Sequence, residues 1–222
     1  MNNIGNIFSD CFLADTVYPD HEQHKDQLIT FIKEYDKQNK VKEKDFVSPH
    51  IKYNVAESSP TLKFFEEANN VVLNNLKEYF EIIIVELYRV LCSRNRNLKQ
   101  FTENYGFQDE KCEVTESWYH ITKTGGYHDL HNHAHSSFSA IYFLDVSECD
   151  YKNGSIRFYK PFNTIVPVND IGLNWIQNDL IDFIPKNGQI IVFPGFLDHS
   201  AIPYYGKSDR YVIAVNARII PC

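Results

Sequence analysis

Five of the nine histidines fall in one short stretch, at His120, His128, His131, His133 and His135. Imidazole is the commonest metal ligand and the side chain that titrates closest to neutrality, so this concentration points to a metal or a proton. On a β-strand, residues i and i+2 project from one face. His131 and His133 would therefore stand side by side and offer two nitrogens to one cation. A third ligand must then come from another strand, as open metal sites commonly arrange. The next histidine along the chain is His199, which follows an apolar strand and the tight exit Phe193-Pro194-Gly195. Arg210 comes eleven residues later and opens the apolar run Arg210-Tyr211-Val212-Ile213-Ala214-Val215-Asn216. Its face also carries Val212, Ala214 and Asn216, small or polar as a cavity wall would be. A guanidinium so placed needs a carboxylate, and apart from Asp209 none is near it in sequence. His128 lies off the H-x-H face and His135 beyond the ordered strand, so both are expected beside the ligands or at the surface. His50, alone in its region, reads as structural.

The scaffold that could bring these residues together is written in the second half. From residue 112, runs of period two alternate with turn residues. Glu113–Lys123 ends at Gly125-Gly126, and His131–Leu144 ends at Asp145. Ser155–Tyr159 follows Asn153-Gly154, Gln189–Phe193 follows Asn187-Gly188, and Arg210–Ile219 follows Gly206. Short strands with no helices between them specify an antiparallel barrel or sandwich. The first half reads as helical. Leu28, Phe31, Ile32 and Tyr35 recur at helical spacing between His21 and about Asn39. A longer helix is expected from Ser59-Pro60, a good N-cap and first-turn pair, towards Cys92. Its broad apolar face, from Leu62 through Phe80 to Leu91, suits docking on the outside of a sheet. The polar stretches Lys37–Asp45 and Ser93–Lys111 read as loops. The expectation is one domain over 1–222, with a mainly helical support layer at 1–111 and a jelly-roll-like barrel carrying the site at 112–222.

Composition narrows the function. With 222 residues the chain can bury a core without staples. A net charge of −7 disfavours a nucleic-acid backbone or an anionic membrane as partner. The longest apolar run, Ile82–Val85, is held between Glu81 and Glu86, far short of the roughly 20 residues a membrane span needs. Residues 1–15 contain no Lys or Arg and so lack the basic start of a secretory signal. The five cysteines show no C-x-x-C spacing, which suits idle thiols in a reducing, cytoplasmic setting.

Around these residues the chain resembles the 2-oxoglutarate- and Fe(II)-dependent oxygenases, within them a bacterial and phage-type branch with an H-x-H motif. The resembling segments are Ser117-Trp118 to Gly126-Tyr127, His131-Asn132-His133 with Ser139–Leu144, Gly154–Phe158 with Pro161, Pro185–Gly188, Ile191–Pro194 to His199, and Arg210–Asn216. Together they cover about residues 115–220. The resemblance implies an α+β fold, a double-stranded β-helix (jelly-roll) barrel with N-terminal helices packed on the outside. It implies Fe(II) held by His131 and His199, with His133 as third ligand, and 2-oxoglutarate as cosubstrate with its distal carboxylate on Arg210. Asn216, His120 and Ser139 are candidate helpers to Arg210. It further implies hydroxylation of a small molecule or peptide with release of succinate and CO2.

The sequence departs from the superfamily at three places. His133 stands where Asp or Glu is common, which makes the metal centre one charge more positive. Val212 replaces a usual hydroxyl carrier two residues after the arginine, and Phe143 replaces a frequent Tyr. Two other readings compete. A three-histidine cupin dioxygenase would need no 2-oxoglutarate, and Gly125, Gly188 and Pro194 stand at compatible spacings from the histidines. However, no Glu follows His133 at the cupin spacing, Pro203 replaces an expected Asn, and Arg210 would have no role. The other is a non-catalytic barrel that binds a small carboxylate or sugar. Substrate choice is expected from Cys149–Tyr151, from Phe162–Asp182 with Trp175, and from Asp45–Ser59. The outer helical layer offers a face for a homodimer.

Overall fold

The computed structural model describes residues 3–8, 11–39, 51–52, 55–57, 62–94, 110–161 and 180–221. Two antiparallel sheets form the frame. The larger has seven strands in the order β1-β2-β10-β7-β12-β5-β4, and the smaller has five in the order β3-β6-β11-β8-β9. The large sheet is built from β1 (Asn3–Phe8), β2 (Cys11–Val17), β4 (Val55–Glu57), β5 (Glu110–Thr122), β7 (Phe138–Asp145), β10 (Gln189–Pro194) and β12 (Arg210–Pro221). The small sheet comprises β3 (Ile51–Lys52), β6 (Tyr127–His131), β8 (Ile156–Tyr159), β9 (Leu180–Phe183) and β11 (His199–Ala201). This alternation of strands between two sheets is the jelly-roll arrangement of a double-stranded β-helix.

The period-two pattern sorts side chains between two cores. Tyr142 and Leu144 of β7, Ile213 and Val215 of β12, and Ile190 and Val192 of β10 join the helices in one buried cluster. Their neighbours Phe143, Val212, Ile191 and Phe193 point the other way and pack with Ile156 and Phe158 of the small sheet. The outer face is covered by α1 (His21–Asn39) and α3 (Val71–Arg94). Leu76, Phe80, Ile84 and Leu87 of α3, at helical spacing, are all 0% exposed. Each such side chain contributes roughly 1.5–3 kcal/mol by leaving water.

Helix α1 spans the range its apolar spacing predicts. The second helix does not. A short α2 (Phe64–Ala68) precedes it, the chain turns at Asn69 with φ +43°, and α3 starts afresh. Asn70 Oδ1 accepts hydrogen bonds from the backbone N–H of Val72 at 2.9 Å and Leu73 at 3.3 Å, so Asn70 rather than Ser59 caps the long helix. The start of the chain also contributes strands beside its helices: β2 pairs with β10 and extends the large sheet. Its seven residues carry a mixed, weakly alternating pattern that only the β10 edge resolves.

Gly188 anchors α1 to the sheet. Its φ is +79°, and a Cβ there would lie 2.8 Å from His21 Cγ. In that space His21 Nδ1 meets the Tyr142 hydroxyl at 2.6 Å. Ser59-Pro60, Trp175 and most of Asp45–Ser59 and Phe162–Asp182 lie outside the described residues. Among the described residues, no helix is long and apolar enough to cross a membrane.

Candidate metal centre

The site forms where β6 and β11 pair. His131 and His199 stand directly opposite each other, with ring centroids 4.3 Å apart. His133 completes the group, its ring 5.2 Å from His131 and 5.3 Å from His199. One nitrogen from each ring lies within 4.8 Å of the others, close enough for one cation to bridge all three.

Two of the rings are held in a metal-ready tautomer. His131 Nδ1 donates to the Asp129 carbonyl at 2.7 Å, and His199 Nδ1 donates to the Leu197 carbonyl at 2.9 Å. A proton fixed on Nδ1 leaves the Nε2 lone pair free for a metal. Asn132 Nδ2 donates to Asp198 Oδ1 at 2.7 Å and ties the two ligand-bearing segments together. Burial first, then the neighbouring His131, holds His133 in its neutral form, with a pKa lowered to about 3. The same causes push His199 well below the ordinary histidine value. Neutral imidazoles are what metal ligation requires.

His133 is not on a strand, contrary to the H-x-H expectation. β6 ends at His131, and His133 opens a turn. Its N–H donates to the Gly195 carbonyl at 2.6 Å, and its carbonyl accepts from Ser136 N–H at 2.9 Å. A Cβ on Gly195 would lie 2.6 Å from the His133 carbonyl oxygen and 2.3 Å from that of Ser136. The glycine of the Phe-Pro-Gly exit is thus what lets the turn seat the third ring.

His128 is also placed differently from its spacing. Ala201 pairs with His128 while His199 pairs with His131, so β6 has one extra residue across this interval. Such a bulge reverses the parity of the strand. It brings His128 into the same cavity as the three rings, edge-on to His120 with centroids 4.2 Å apart. His135 stays outside, its side chain 64% exposed and bonded to Glu116.

Arg210 lines this cavity too. It is 4% exposed, and its Nε and Nη2 have no hydrogen-bond partner. Burial opposes its charge, partly offset by the Cys149 thiol and Tyr204 beside it. A buried guanidinium without a paired anion is costly, so its chemistry suits an anion in this cavity. Val212, Ala214 and Ile141 form an apolar wall. Phe143 is buried in the inner core and stacks on Phe183 at 6.0 Å.

Asn216 sits behind the cavity. It stands opposite Ser139 on β7 and Glu116 on β5, and its side chain bonds to both. Glu116 carried no signal of its own in the sequence, because its partners lie a strand away.

The family model described as "Putative 2OG-Fe(II) oxygenase" matches residues 116–216. Three solved structures share the fold. A prolyl-4-hydroxylase from Pseudomonas putida is 11% identical, with a TM-score of 0.51 over 92% of this chain and 91% of that one. HygX from Streptomyces hygroscopicus, with nickel, 2-oxoglutarate and hygromycin B bound, is 11% identical, with a TM-score of 0.53 over 92% of this chain and 82% of that one. A prolyl hydroxylase from Trichoplax adhaerens, in complex with a hypoxia inducible factor oxygen degradation domain peptide fragment, is 12% identical, with a TM-score of 0.52 over the same shares. No curated protein matches the sequence. The jelly-roll fold is the one these solved structures share. Over residues 116–216 the chain is similar to the 2OG-Fe(II) oxygenases.

Proposed function

We propose that His131, His133 and His199 hold Fe(II), that Arg210 binds the distal carboxylate of 2-oxoglutarate, and that the enzyme hydroxylates a small molecule or a peptide. One observation carries this reading: a buried guanidinium with two unpartnered N–H groups shares a cavity with three imidazoles, two of them tautomer-locked. A metal and a dicarboxylate satisfy both demands at once. A three-histidine enzyme working without 2-oxoglutarate would leave Arg210 unpaired.

Each residue has defined work. The Asp129 and Leu197 carbonyls keep the His131 and His199 rings aimed at the cation. The Arg210 fork fixes one end of the cosubstrate so that its oxo-acid end reaches the metal. Val212, Ala214 and Ile141 keep the space between them free of water, which strengthens both contacts. Val212 brings no hydroxyl, and we assign that help to His128 and His120, which flank the same cavity. Asn216 stands behind the cavity, bonded to Ser139 and Glu116. When bound, Fe(II) and 2-oxoglutarate supply dioxygen activation, with decarboxylation to succinate and CO2 and transfer of one oxygen atom to a substrate C–H bond. Among the described residues, the thiols of Cys92, Cys112 and Cys149 suit a reducing cytoplasm.

The test is anaerobic addition of Fe(II) and 2-oxoglutarate to purified protein. A visible charge-transfer band is expected, followed by succinate formation on admission of air. His199→Ala should lose both metal and cosubstrate binding. If the band fails to form in the native protein while metal binds, the cosubstrate assignment falls.

A further inference from the structure

Two neighbouring residues carry three buried polar atoms that the protein leaves unsatisfied. Arg210 and Thr122 are direct partners across β12 and β5. The side chains of such a pair stand on one face of the sheet, with Cβ atoms about 4.5–5.5 Å apart. That face is the inner one. Tyr119 and Ile121 of β5 pack with the helices, whereas Trp118 and His120 line the cavity, so alternation turns Thr122 inward with them. The register between β5 and β12 runs without a shift from Arg210 to Asn216, so no bulge upsets this parity as one does for His128. Thr122 is 3% exposed. Its Oγ1, like Arg210 Nε and Nη2, has no hydrogen-bond partner among the described residues.

A buried hydroxyl without a partner has given up its bonds to water and gained nothing in return. Valine would fill the same space without that loss. The arginine beside it is closely packed. A Cβ on Gly154 would lie 2.9 Å from Cys149 Sγ, 2.9 Å from Tyr204 Cδ2 and 3.6 Å from Arg210 Cδ, so all three side chains crowd the space beside that glycine. We infer that Thr122 is a binding residue for the anion on Arg210: its hydroxyl donates to the distal carboxylate of 2-oxoglutarate and supplies, from β5, the hydroxyl that Val212 lacks on β12. The inference rests on the Arg210 assignment above. A carboxylate offers about four lone-pair sites, enough to accept both free N–H groups of Arg210 and the Thr122 O–H together. One ligand group then meets all three demands.

Thr122→Val tests this because it removes the hydroxyl at nearly constant volume, while Thr122→Ser keeps it. Calorimetric titration of Ni(II)-loaded protein measures the affinity for 2-oxoglutarate and for 2-oxopentanoate, the same carbon chain without the distal carboxylate. Thr122→Val should bind 2-oxoglutarate about tenfold more weakly, the low end of what one hydrogen bond to a charged group supplies. Its affinity for 2-oxopentanoate should equal that of native protein, and Thr122→Ser should stay near native for both. Without ligand, Thr122→Val should melt no lower than native protein. Native 2-oxoglutarate affinity in Thr122→Val, an equal loss for both ligands, or a lower melting midpoint overturns the inference. Arg210→Met separates it from the reading beneath: if that variant loses 2-oxoglutarate and Thr122→Val does not, only the role of Thr122 falls. If Arg210→Met keeps native affinity, the Arg210 assignment falls first and this inference with it.

Discussion

Along β7 and β12, successive residues enter two environments that share one backbone. Tyr142, Leu144, Ile213 and Val215 face α1 and α3, where they meet Leu28, Phe80 and Leu87 in a continuous apolar core. Two hydroxyls in that layer have partners in it, Tyr142 with His21 and Tyr119 with Asp36, while the far ring nitrogen of His21 has no hydrogen-bond partner. On the opposite face, Arg210 is just as deeply buried, yet two of its nitrogens are unpartnered. One face is largely apolar and contributes stability. The other leaves two guanidinium N–H groups unsatisfied, as the proposed anion site requires.

The sharpest way to break this contrast is to damage each face separately. Leu87→Ala on the helix face should cost about 2–5 kcal/mol of stability, read as a lower urea midpoint, with metal affinity unchanged once folded. His131→Ala should do the reverse. Its ring is half-buried and its loss removes a ligand, so metal affinity should fall by at least about 100-fold while the melting midpoint of metal-free protein stays put. Arg210→Met joins both sides of the comparison. Cosubstrate affinity should fall by about 2 kcal/mol or more, roughly 30-fold, with metal binding spared. Without ligand, the variant should melt about 2–4 °C higher, because about 1 kcal/mol of unpaired buried charge is relieved.

The smallest effect concerns pH. Lys25 of α1 reaches Asp145 at the end of β7, at 3.3 Å. Burial raises the Asp145 pKa, but hydrogen bonds from Ser147 and Lys25 lower it further, so the net shift is downward. Its contribution is then full above the unfolded carboxyl value of about 3.9 and is lost as pH falls through the lower folded value. Asp145→Asn should therefore destabilise by less than about 1 kcal/mol at neutral pH, given that the pair is a quarter exposed. The difference from native protein should vanish in acid, as urea titrations at pH 7 and pH 2.5 would reveal.

Much of this arrangement is legible in the linear chain. The alternation in Arg210–Asn216 specifies a two-sided strand, the single run read over His131–Leu144 divides into β6 and β7, and the spacing in His21–Asn39 specifies a helix of those limits. The convergence of His131, His133 and His199, and the placing of Arg210 beside them, follow from residue types and strand order. The differences share a cause. Spacing puts His128 off the ligand face, yet one extra residue in β6 inverts the strand's parity and turns it into the cavity beside the ligands. The H-x-H pattern puts His133 on a strand, yet a turn packed on Gly195 carries it. Ser59-Pro60 reads as a helix start, whereas the long helix is capped by Asn70 after a left-handed turn at Asn69.

What residue order decides here is local: which segments extend or coil, which face of each is apolar, and which side chains could ligate or bind an anion. Propensity and periodicity act over a few residues, and those features need nothing more. Register, by contrast, belongs to a pair of strands, so the β6 bulge exists only opposite β11. The adjacency of Asn216 and Glu116, a hundred residues apart, exists only once β12 lies beside β5. The tertiary structure alone decides which donors stay unsatisfied, since an unpaired N–H on Arg210 is defined by every neighbour that fails to reach it.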